Sequence, residues 1–322
     1  MQTVALFDTS IASTNSGDEI IMEAVRREIS DLCPHAFVHS VATHEWTGAK
    51  SRSILRSSGL VIACGTNLLS SRMWLRPLWR LSPLDALFCP RVVLMGVGWY
   101  RFQKPPDLYT RPLLRRALSS RRHHSVRDSY TLERLVELGF SNVSNTGCPT
   151  LWRLTPEHCK SIPRRKGARV VTTLNSYLPD PAADLRMLEI LAASYEQVRL
   201  WIQTPADLDY SRSLVAGLSY LDPTVEALDR ELANDNDLDY VGVRLHAGIR
   251  ALQHGRRALI LAIDNRATMM GRDFGFPTVP RHAFEQISNR IHSDPPLQLQ
   301  LPYDAIEEWR AHIRGLEDKA DG

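Results

Sequence analysis

Apolar and polar positions alternate along the chain in two series of short strand-like runs and longer helical patterns. In the first series, apolar and β-branched runs typical of buried strands occur at 4–7, 60–63, 91–95 and 124–126. Helical patterns follow at 18–32, 108–118 and 129–138. Because strands that alternate with helices pair in parallel and are covered by those helices, this order predicts a doubly wound α/β layer structure.

A second series of the same kind begins after the segment 162–167, which combines proline, glycine and charge as an interdomain linker does. Its predicted strands are 169–173, 198–203, 238–243 and 258–263, and its predicted helices are 185–196, 207–217, 246–253, 266–274 and 303–313. Gly255 follows one of these helices and suits a left-handed cap.

Two alternating series predict an α/β protein with two Rossmann-like, doubly wound domains that face a cleft. Ligands usually bind in such a cleft. We expect an N-terminal domain over residues 1–162 and a C-terminal domain over residues 163–300. A C-terminal helix in residues 301–322 is expected to pack back across the domains.

Composition narrows the class of protein. The chain has 322 residues, of which 43% are hydrophobic and 23% charged, as in globular proteins of two domains. No apolar run approaches the roughly 20 residues that cross a bilayer, and the first residues lack the basic segment of a signal peptide, so we expect a cytoplasmic protein.

Five irregularly spaced cysteines indicate neither a disulfide framework nor a zinc site. The net charge of +3 comes with scattered arginine pairs typical of solvated faces, so no nucleic-acid partner is expected.

Two loops that follow predicted strands carry polar residues and glycines. Asn15-Ser16-Gly17-Asp18-Glu19 opens the first helix, and ordinary helix capping explains most of it. The functional interpretation is that Asn15 and Asp18 meet a sugar hydroxyl or a phosphate. In Cys64-Gly65-Thr66-Asn67 the glycine permits close backbone approach to a ligand, and a simple tight turn explains it equally well.

A third segment, Ser125-Val126-Arg127-Asp128-Ser129, ends one strand and enters a helix. Ser125 and Arg127 share a face of the strand, and Asp128 or Ser129 can cap the helix. The planar guanidinium of Arg127 suits a phosphate or a carboxylate, although a surface ion pair is an equally good explanation.

The fourth segment places Arg244 and His246 two residues apart at the end of a predicted strand. If the strand extends that far, both side chains point to the same face and share one pocket, as an anion-binding group and a proton donor. No carboxylate or second histidine follows at the spacing that a metal site on a helix requires, so no metal is expected.

Tryptophans alternate with arginines in the segment 71–81. Trp74 and Trp79 are predicted to make peripheral membrane contact, because tryptophan favours the headgroup level and arginine meets anionic lipid. A packed loop with stacked arginines is an equally good explanation, and Pro77 argues against a long regular helix.

These segments, taken in order together with Thr146-Gly147-Cys148-Pro149, resemble the polysaccharide pyruvyltransferase family. The resemblance runs from about residue 4 to about residue 280. The chain departs from the family pattern at Cys64-Gly65-Thr66, where the family usually has three successive glycines. It also departs near Ile263 and Arg266, where the family usually has a tyrosine and a lysine.

The resemblance implies a glycosyltransferase-B-like fold and transfer of pyruvate from phosphoenolpyruvate to a sugar as a ketal. It implies an acceptor side in the N-terminal domain, which contributes Arg127, and a donor side in the C-terminal domain. Phosphoenolpyruvate is a co-substrate, and no cofactor is expected. The resemblance implies a saccharide acceptor, either lipid-linked or free. Membrane contact through Trp74 and Trp79 would place the protein at the inner face of the membrane.

The implied roles follow the motif positions. His246 is expected to act as general acid, and Asp18 is the candidate base. The donor-binding residues are expected to be Arg127, Arg244 and Ser125. The acceptor or loop-positioning residues are expected to be Asn15, Gly17, Gly65 and Asn67.

Two alternatives of other classes remain open from the sequence. A nucleotide-sugar-dependent glycosyltransferase of the two-lobed class has the same order of strands and helices. A non-catalytic homologue is the second alternative, and the incomplete glycine triplet at 64–66 favours it.

Overall fold

Parallel strands form the frame of both halves of the chain. The computed structural model describes residues 3–234 and 237–318. The strands are β1 (Thr3–Asp8), β2 (Phe37–Ala42), β3 (Leu60–Cys64), β4 (Asn67–Leu69), β5 (Val93–Met95), β6 (Gly98–Trp99), β7 (His124–Val126), β8 (Val143–Asn145), β9 (Arg169–Thr172), β10 (Gln197–Trp201), β11 (Ser219–Leu221), β12 (Leu238–Gly242), β13 (Ala258–Ala262) and β14 (Thr278–Pro280). The helices are α1 (Ser16–Leu32), α2 (Ala49–Ser57), α3 (Pro83–Phe88), α4 (Thr110–Ala117), α5 (Ser129–Glu137), α6 (Pro156–Ser161), α7 (Pro181–Ser194), α8 (Pro205–Leu214), α9 (Val225–Asn234), α10 (Leu245–Gln253), α11 (Asn265–Phe274), α12 (Phe284–His292) and α13 (Tyr303–Asp318).

The first unit comprises Met1–Ser13, Ile21–Trp152 and Leu301–Gly322. Its main sheet has the order β2-β1-β3-β5, with every pair parallel. A bridge between Val97 and Val126 joins the region after β5 to the parallel pair of β7 and β8. The strand order reverses between β1 and β3, so the carboxyl ends of these two strands form a topological switch point, where doubly wound sheets bind ligands.

Aromatic side chains fill the core of the first unit. Phe7 of β1 packs edge-on against Trp79 with ring centroids 5.3 Å apart, and Trp79 is completely buried. The C-terminal helix α13 belongs to this unit, because Trp309 packs against Trp152 at 5.4 Å and Arg310 pairs with Glu28 at 2.7 Å. Residues 319–322 of the expected C-terminal segment lie outside the described residues.

The second unit comprises Thr14–Ile20 and Arg153–Gln300. Its six-stranded parallel sheet has the order β11-β10-β9-β12-β13-β14, and the order reverses between β9 and β12. The backbone after β12 is fixed to the end of β9, since the amide of Arg244 donates to Thr173 Oγ1 at 3.1 Å. The hydroxyl of Tyr240 donates to the carbonyl of Arg244 at 2.8 Å. The switch point of this sheet therefore presents Arg244.

The predicted strands and helices of both series are confirmed, with shifts of a few residues at their ends. Gly255 has the left-handed φ of 71° that its position after α10 predicted. The sequence analysis missed further elements, which are β2, β4, β6, β8, β11, β14, α2, α3, α6, α9 and α12. The strand β2 gave no signal because four of its six residues are exposed and no apolar alternation marks it. The strand predicted over 238–243 ends at Gly242, so Arg244 caps α10 and His246 lies in its first turn. The prediction that strand alternation places these two side chains on one face is therefore wrong.

The division of the chain differs from the expected boundary after residue 162. The second unit begins at Arg153, because α6 packs within it and His158 Nε2 lies 2.6 Å from the carbonyl oxygen of Leu252. The residues 14–20 also belong to the second unit, although they precede the first unit's longest segment. The acceptor loop that the sequence assigned to the N-terminal domain is therefore part of the second unit.

Candidate active site

Arg127 is the central side chain of the candidate site in the first unit. It follows β7, and its guanidinium is 1% exposed. Nη2 donates to Asn67 Oδ1 at 2.7 Å and to Asp128 Oδ2 at 3.0 Å. The same carboxylate group caps α5, because Asp128 Oδ1 accepts from the amide of Thr131 at 2.8 Å. Two of the segments singled out in the sequence, at Asn67 and at Arg127, are thus in direct contact.

The guanidinium of Arg127 is held in place against Gly98, on β6. A Cβ atom added to Gly98 would lie 2.3 Å from Cζ of Arg127, a distance that no side chain tolerates. Nη1 of Arg127 is buried and has no hydrogen-bond partner among the described residues. A buried donor without a partner is costly, so this group is a candidate for contact with a bound anion.

Ser125 and Gly65 have structural contacts in the first unit. The hydroxyl of Ser125 is completely buried, accepts from the amide of Gly96 at 2.9 Å and lies 2.5 Å from Thr146 Oγ1. Gly65 has a φ of 57°, and a Cβ there would lie 2.2 Å from Cγ2 of Ile21. The close approach that Gly65 permits is therefore to α1 of the same chain, whereas the sequence suggested a ligand.

Arg244 is the central side chain of the candidate site in the second unit. It is 4% exposed, donates from Nε to the carbonyl of Leu174 at 3.2 Å and pairs through Nη2 with Asp207. Asp207 lies in the first turn of α8, and its other oxygen accepts from the amide of Ser176 at 2.8 Å. Among the described residues no hydrogen bond uses Nη1 of Arg244, so this arginine also keeps donor capacity for an anion.

Tyr177 lies between two arginines at the same switch point. The guanidinium of Arg244 lies 5.0 Å from the centre of its ring, and that of Arg266 lies 6.0 Å from it. Arg266 also donates to the Tyr177 hydroxyl and pairs with Asp264 at 2.6 Å. The ring is 48% exposed, so this cluster presents an aromatic surface to solvent, while each guanidinium is paired with an aspartate.

His246 lies in the first turn of α10 and is 5% exposed. No side chain caps this helix through a hydrogen bond, and its N-cap is Arg244. The first amides of a helix attract anions when no side chain satisfies them. The start of α10 therefore combines a histidine, an arginine and a helix N-terminus within one turn.

The Asn15 loop is attached to the end of β10. Asn15 Oδ1 accepts from Nε2 of Gln203 at 2.5 Å and from the amide of Gly17 at 3.2 Å. The amide of Ser16 donates to the carbonyl of Gln203 at 3.1 Å. Asp18 lies in the first turn of α1 with 7% exposure, and its amide donates to the carbonyl of Asn15 at 2.9 Å. The predicted capping role of this segment is confirmed.

The two tryptophans of the arginine-rich segment have opposite environments. Trp74 is 60% exposed, whereas Trp79 is completely buried in the core of the first unit. The predicted membrane contact of Trp79 is therefore wrong, because the ring packs against Phe7. No helix in the described parts of the chain is long and apolar enough to cross a membrane.

The model of the polysaccharide pyruvyl transferase family matches residues 15–265 of the chain. The chain belongs to this family. The match includes Arg127, Arg244 and His246, and it ends at Asn265, at the start of α11. No curated protein matches this family member.

Solved structures are similar to this pyruvyl transferase family member in fold. The S. aureus MnaA-UDP co-structure has a TM-score of 0.56 at 10% identity, with 98% of each chain covered. The UDP-GlcNAc 2-epimerase from Neisseria meningitidis bound to UDP-GlcNAc has a TM-score of 0.47 at 11% identity, with 98% of this chain and 94% of that chain covered. The first similarity shows that the two α/β units have the Rossmann-like, glycosyltransferase-B-like fold.

Sequence reasoning missed the contacts that position the candidate residues. Tyr177, Asp207 and Gln203 carried no signal of function, because none of them belongs to a recognisable motif. Their shared position was a usable signal, since all three follow strands of one parallel sheet and carboxyl ends of such strands meet at one edge.

Proposed function

We propose that the protein transfers a pyruvyl group from phosphoenolpyruvate to a sugar of a polysaccharide, or of its lipid-linked precursor, and forms a pyruvate ketal in the cytoplasm. The observation that carries this proposal is the burial and the hydrogen bonding of two arginines. Arg127 and Arg244 are both buried and held by fixed partners, and both keep Nη1 unused among the described residues. Phosphoenolpyruvate has the phosphate and the carboxylate that such groups bind.

Arg127 and Arg244 are each proposed as a donor-binding residue. In the second unit, the uncapped start of α10 adds helix amides beside Arg244, which suits a phosphate or carboxylate oxygen. In the first unit, Nη1 of Arg127 is covered, so an anion reaches it only when neighbouring groups give way. Binding would then supply the partner that this buried donor lacks.

His246 is proposed to protonate the methylene carbon of phosphoenolpyruvate. The resulting oxocarbenium-like centre is attacked by a sugar hydroxyl, phosphate departs, and a second hydroxyl closes the ketal. The two hydroxyl protons are balanced by one proton added to the methylene carbon and one that leaves with phosphate. Asp18 is proposed as the base, since it is the buried carboxylate of the Asn15 loop, whereas Glu19 is exposed.

The acceptor is proposed to bind in a cavity of about 560 Å³ in the second unit. Ser16 and Gln203 line it beside the ring of Tyr220, and Arg212 and Asp222 line it with opposite charges. A mixed wall without net charge suits the hydroxyls and apolar faces of a sugar ring. The cavity also reaches the first turn of α8, the turn in which Asp207 holds Arg244.

The function is tested by incubation of the purified protein with phosphoenolpyruvate and a panel of free and lipid-linked saccharides. We expect release of phosphate and a mass gain of one pyruvyl ketal on one class of saccharide. A parallel incubation with nucleotide sugars tests the glycosyltransferase alternative. Transfer of a sugar from a nucleotide, without consumption of phosphoenolpyruvate, would overturn the proposal.

The acceptor cavity has its own test. Tyr220→Ala is expected to raise KM for the saccharide by roughly 10-fold or more, because a buried aromatic contact with a ligand is lost. KM for phosphoenolpyruvate is expected to stay unchanged. Tyr210→Phe is the matched control, since Tyr210 lies on the same helix as Arg212 but its hydroxyl donates to Asp184. An unchanged saccharide KM in Tyr220→Ala would place the acceptor elsewhere.

A further inference from the structure

An exposed apolar cluster lies on two loops of the first unit. Trp74, Leu75, Phe102 and Leu108 are 60%, 54%, 60% and 92% exposed. Isolated exposed apolar residues are common, but four large ones on two adjoining loops are not explained by the fold.

The two loops are tied to each other by hydrogen bonds. The amide of Asp107 donates to the carbonyl of Ser71 at 3.0 Å, and the amide of Ser71 donates to Gln103 Oε1 at 2.8 Å. The indole of Trp74 donates to Asp107 Oδ2 at 2.8 Å. The four exposed apolar side chains therefore belong to one connected surface.

A cavity of about 470 Å³ opens between the same two loops. Arg72, Arg76 and Lys104 line it together with Leu75 and Asp107. Among the described residues no carboxylate pairs with any of the three cations, and Arg76 instead contacts the ring and hydroxyl of Tyr100. Asp107 is already engaged by Trp74 and by the amide of Thr110. The cavity thus carries a net positive charge beside exposed apolar side chains.

The part of the chain around this cavity is also positively charged. Residues 71–116 contain nine arginines and lysines and two aspartates. One of these aspartates is Asp107, and the other, Asp85, is buried and pairs with Arg52 at 2.7 Å. A surface of this kind attracts anions, and its complement is a negatively charged partner with an apolar layer.

We propose that this surface, Trp74, Leu75, Phe102 and Leu108 together with Arg72, Arg76 and Lys104, docks the protein on a bilayer of anionic phospholipid. Tryptophan resides at the headgroup level of a bilayer, and the apolar side chains bury in its outer layer. The three cations bind lipid phosphates in and around the cavity. Docking does not rest on the proposed function, and it would bring the protein to a lipid-linked acceptor.

The test is co-sedimentation of the full chain with vesicles of phosphatidylcholine, with and without phosphatidylglycerol. We expect binding to the anionic vesicles that weakens as salt rises, and little binding to phosphatidylcholine alone. Arg72→Gln, Arg76→Gln and Lys104→Gln are each expected to weaken binding by about fivefold. Trp74→Ser with Leu75→Ser is expected to reduce binding further. Matched controls are Val136→Ser, at an apolar side chain that is 55% exposed elsewhere, and Arg121→Gln.

Equal binding to both kinds of vesicle, or equal loss in the control variants, would overturn the proposal. Displacement by inorganic phosphate, when sodium chloride of the same ionic strength does not displace, would assign the cavity to a free phosphate and also overturn it. Pyruvyl transfer to a soluble saccharide is expected to be unchanged in the docking variants. Failure of docking is therefore distinguishable from failure of the proposed function.

Discussion

At the scale of single residues, Arg127 shows how a buried guanidinium is held in a fixed orientation. Asn67 and Asp128 use Nη2, the carboxylate of Asp128 also accepts from Nε at 3.2 Å, and Gly98 leaves room for the flat face of the guanidinium. Arg244 is held in a similar way by Asp207 and by the ring of Tyr177. In both cases the neighbouring residues fix the plane of the guanidinium. A lysine cannot reproduce this, because its ammonium group is not planar.

Replacement of Arg127 by lysine tests its role in donor binding. We expect Arg127→Lys to lower kcat/KM for phosphoenolpyruvate by roughly 10- to 100-fold, because hydrogen bonds to a charged group are lost. Steady-state kinetics at saturating saccharide measure this. Arg250→Lys is the matched control, since Arg250 pairs with Asp229 at 2.5 Å in a helix contact of the second unit. Equal losses in both variants would contradict a specific role for Arg127.

Gly98 offers an independent test of the same group. In Gly98→Ala the new methyl group would lie 2.3 Å from Cζ of Arg127, so the guanidinium must move. We expect a loss of kcat/KM similar to that of Arg127→Lys, with thermal unfolding still cooperative. Gly48→Ala is the control, because nothing lies within 4 Å of a Cβ at that position. Full activity of Gly98→Ala would mean that the position of Arg127 is unimportant.

At the scale of secondary structure elements, β7 is fixed to its sheet by a buried histidine. His124 Nδ1 accepts from the amide of Leu94 at 3.1 Å, and Nε2 lies 2.7 Å from the carbonyl oxygen of Ser119, to which it donates as a neutral ring. Burial lowers the pKa of His124 from 6.5 to about 4. Because Arg127 follows this strand directly, the same contacts also position the proposed donor-binding arginine.

The lowered pKa of His124 predicts how stability depends on pH. The unfolded chain takes up a proton near pH 6.5 and the folded chain only near pH 4, so the contribution is fully present above pH 6.5 and is lost as pH falls toward 4. The loss amounts to roughly 3 kcal/mol in the free energy of unfolding.

Chemical denaturation of the wild type and of His124→Gln between pH 7 and pH 4.5 measures this contribution. Glutamine keeps one donor and one acceptor, but it does not titrate. We expect the difference in unfolding free energy between the two proteins to shrink as pH falls. A difference that stays constant over this range would contradict the assignment to His124.

At the scale of the whole molecule, the candidate donor-binding residues are divided between two folding units. Arg127 belongs to the first unit, whereas Arg244, His246 and the Asn15 loop belong to the second. Each unit has its own parallel sheet and its own apolar core.

The proposed donor binding predicts that phosphoenolpyruvate stabilises the protein against thermal unfolding. At 100 times the Kd, a ligand of the folded state adds about 2.7 kcal/mol to the free energy of unfolding. We expect a rise in Tm for the wild type, and a smaller rise for both Arg127→Lys and Arg244→Lys at the same concentration. Differential scanning fluorimetry measures it, with inorganic sulfate as the control anion. A full shift in either variant would remove that arginine from the donor site.

The sequence by itself determined the alternation of strands and helices, with eight of the fourteen strands and eight of the thirteen α-helices that the structure describes, and it singled out Arg127, Arg244 and the Asn15 loop. These features are local, because apolar periodicity, β-branched runs and capping residues act over a few neighbouring positions. The same local signals were too weak for β2, whose side chains are mostly exposed, and they misplaced the end of β12 by one residue.

Only the tertiary structure decided which groups surround those residues. Asp207 is 37 positions from Arg244, and Asn67 is 60 positions from Arg127. Such pairs meet because parallel strands that are distant in sequence end at one edge of a sheet. The order of those strands is set by the packing of the whole domain, which no local pattern encodes.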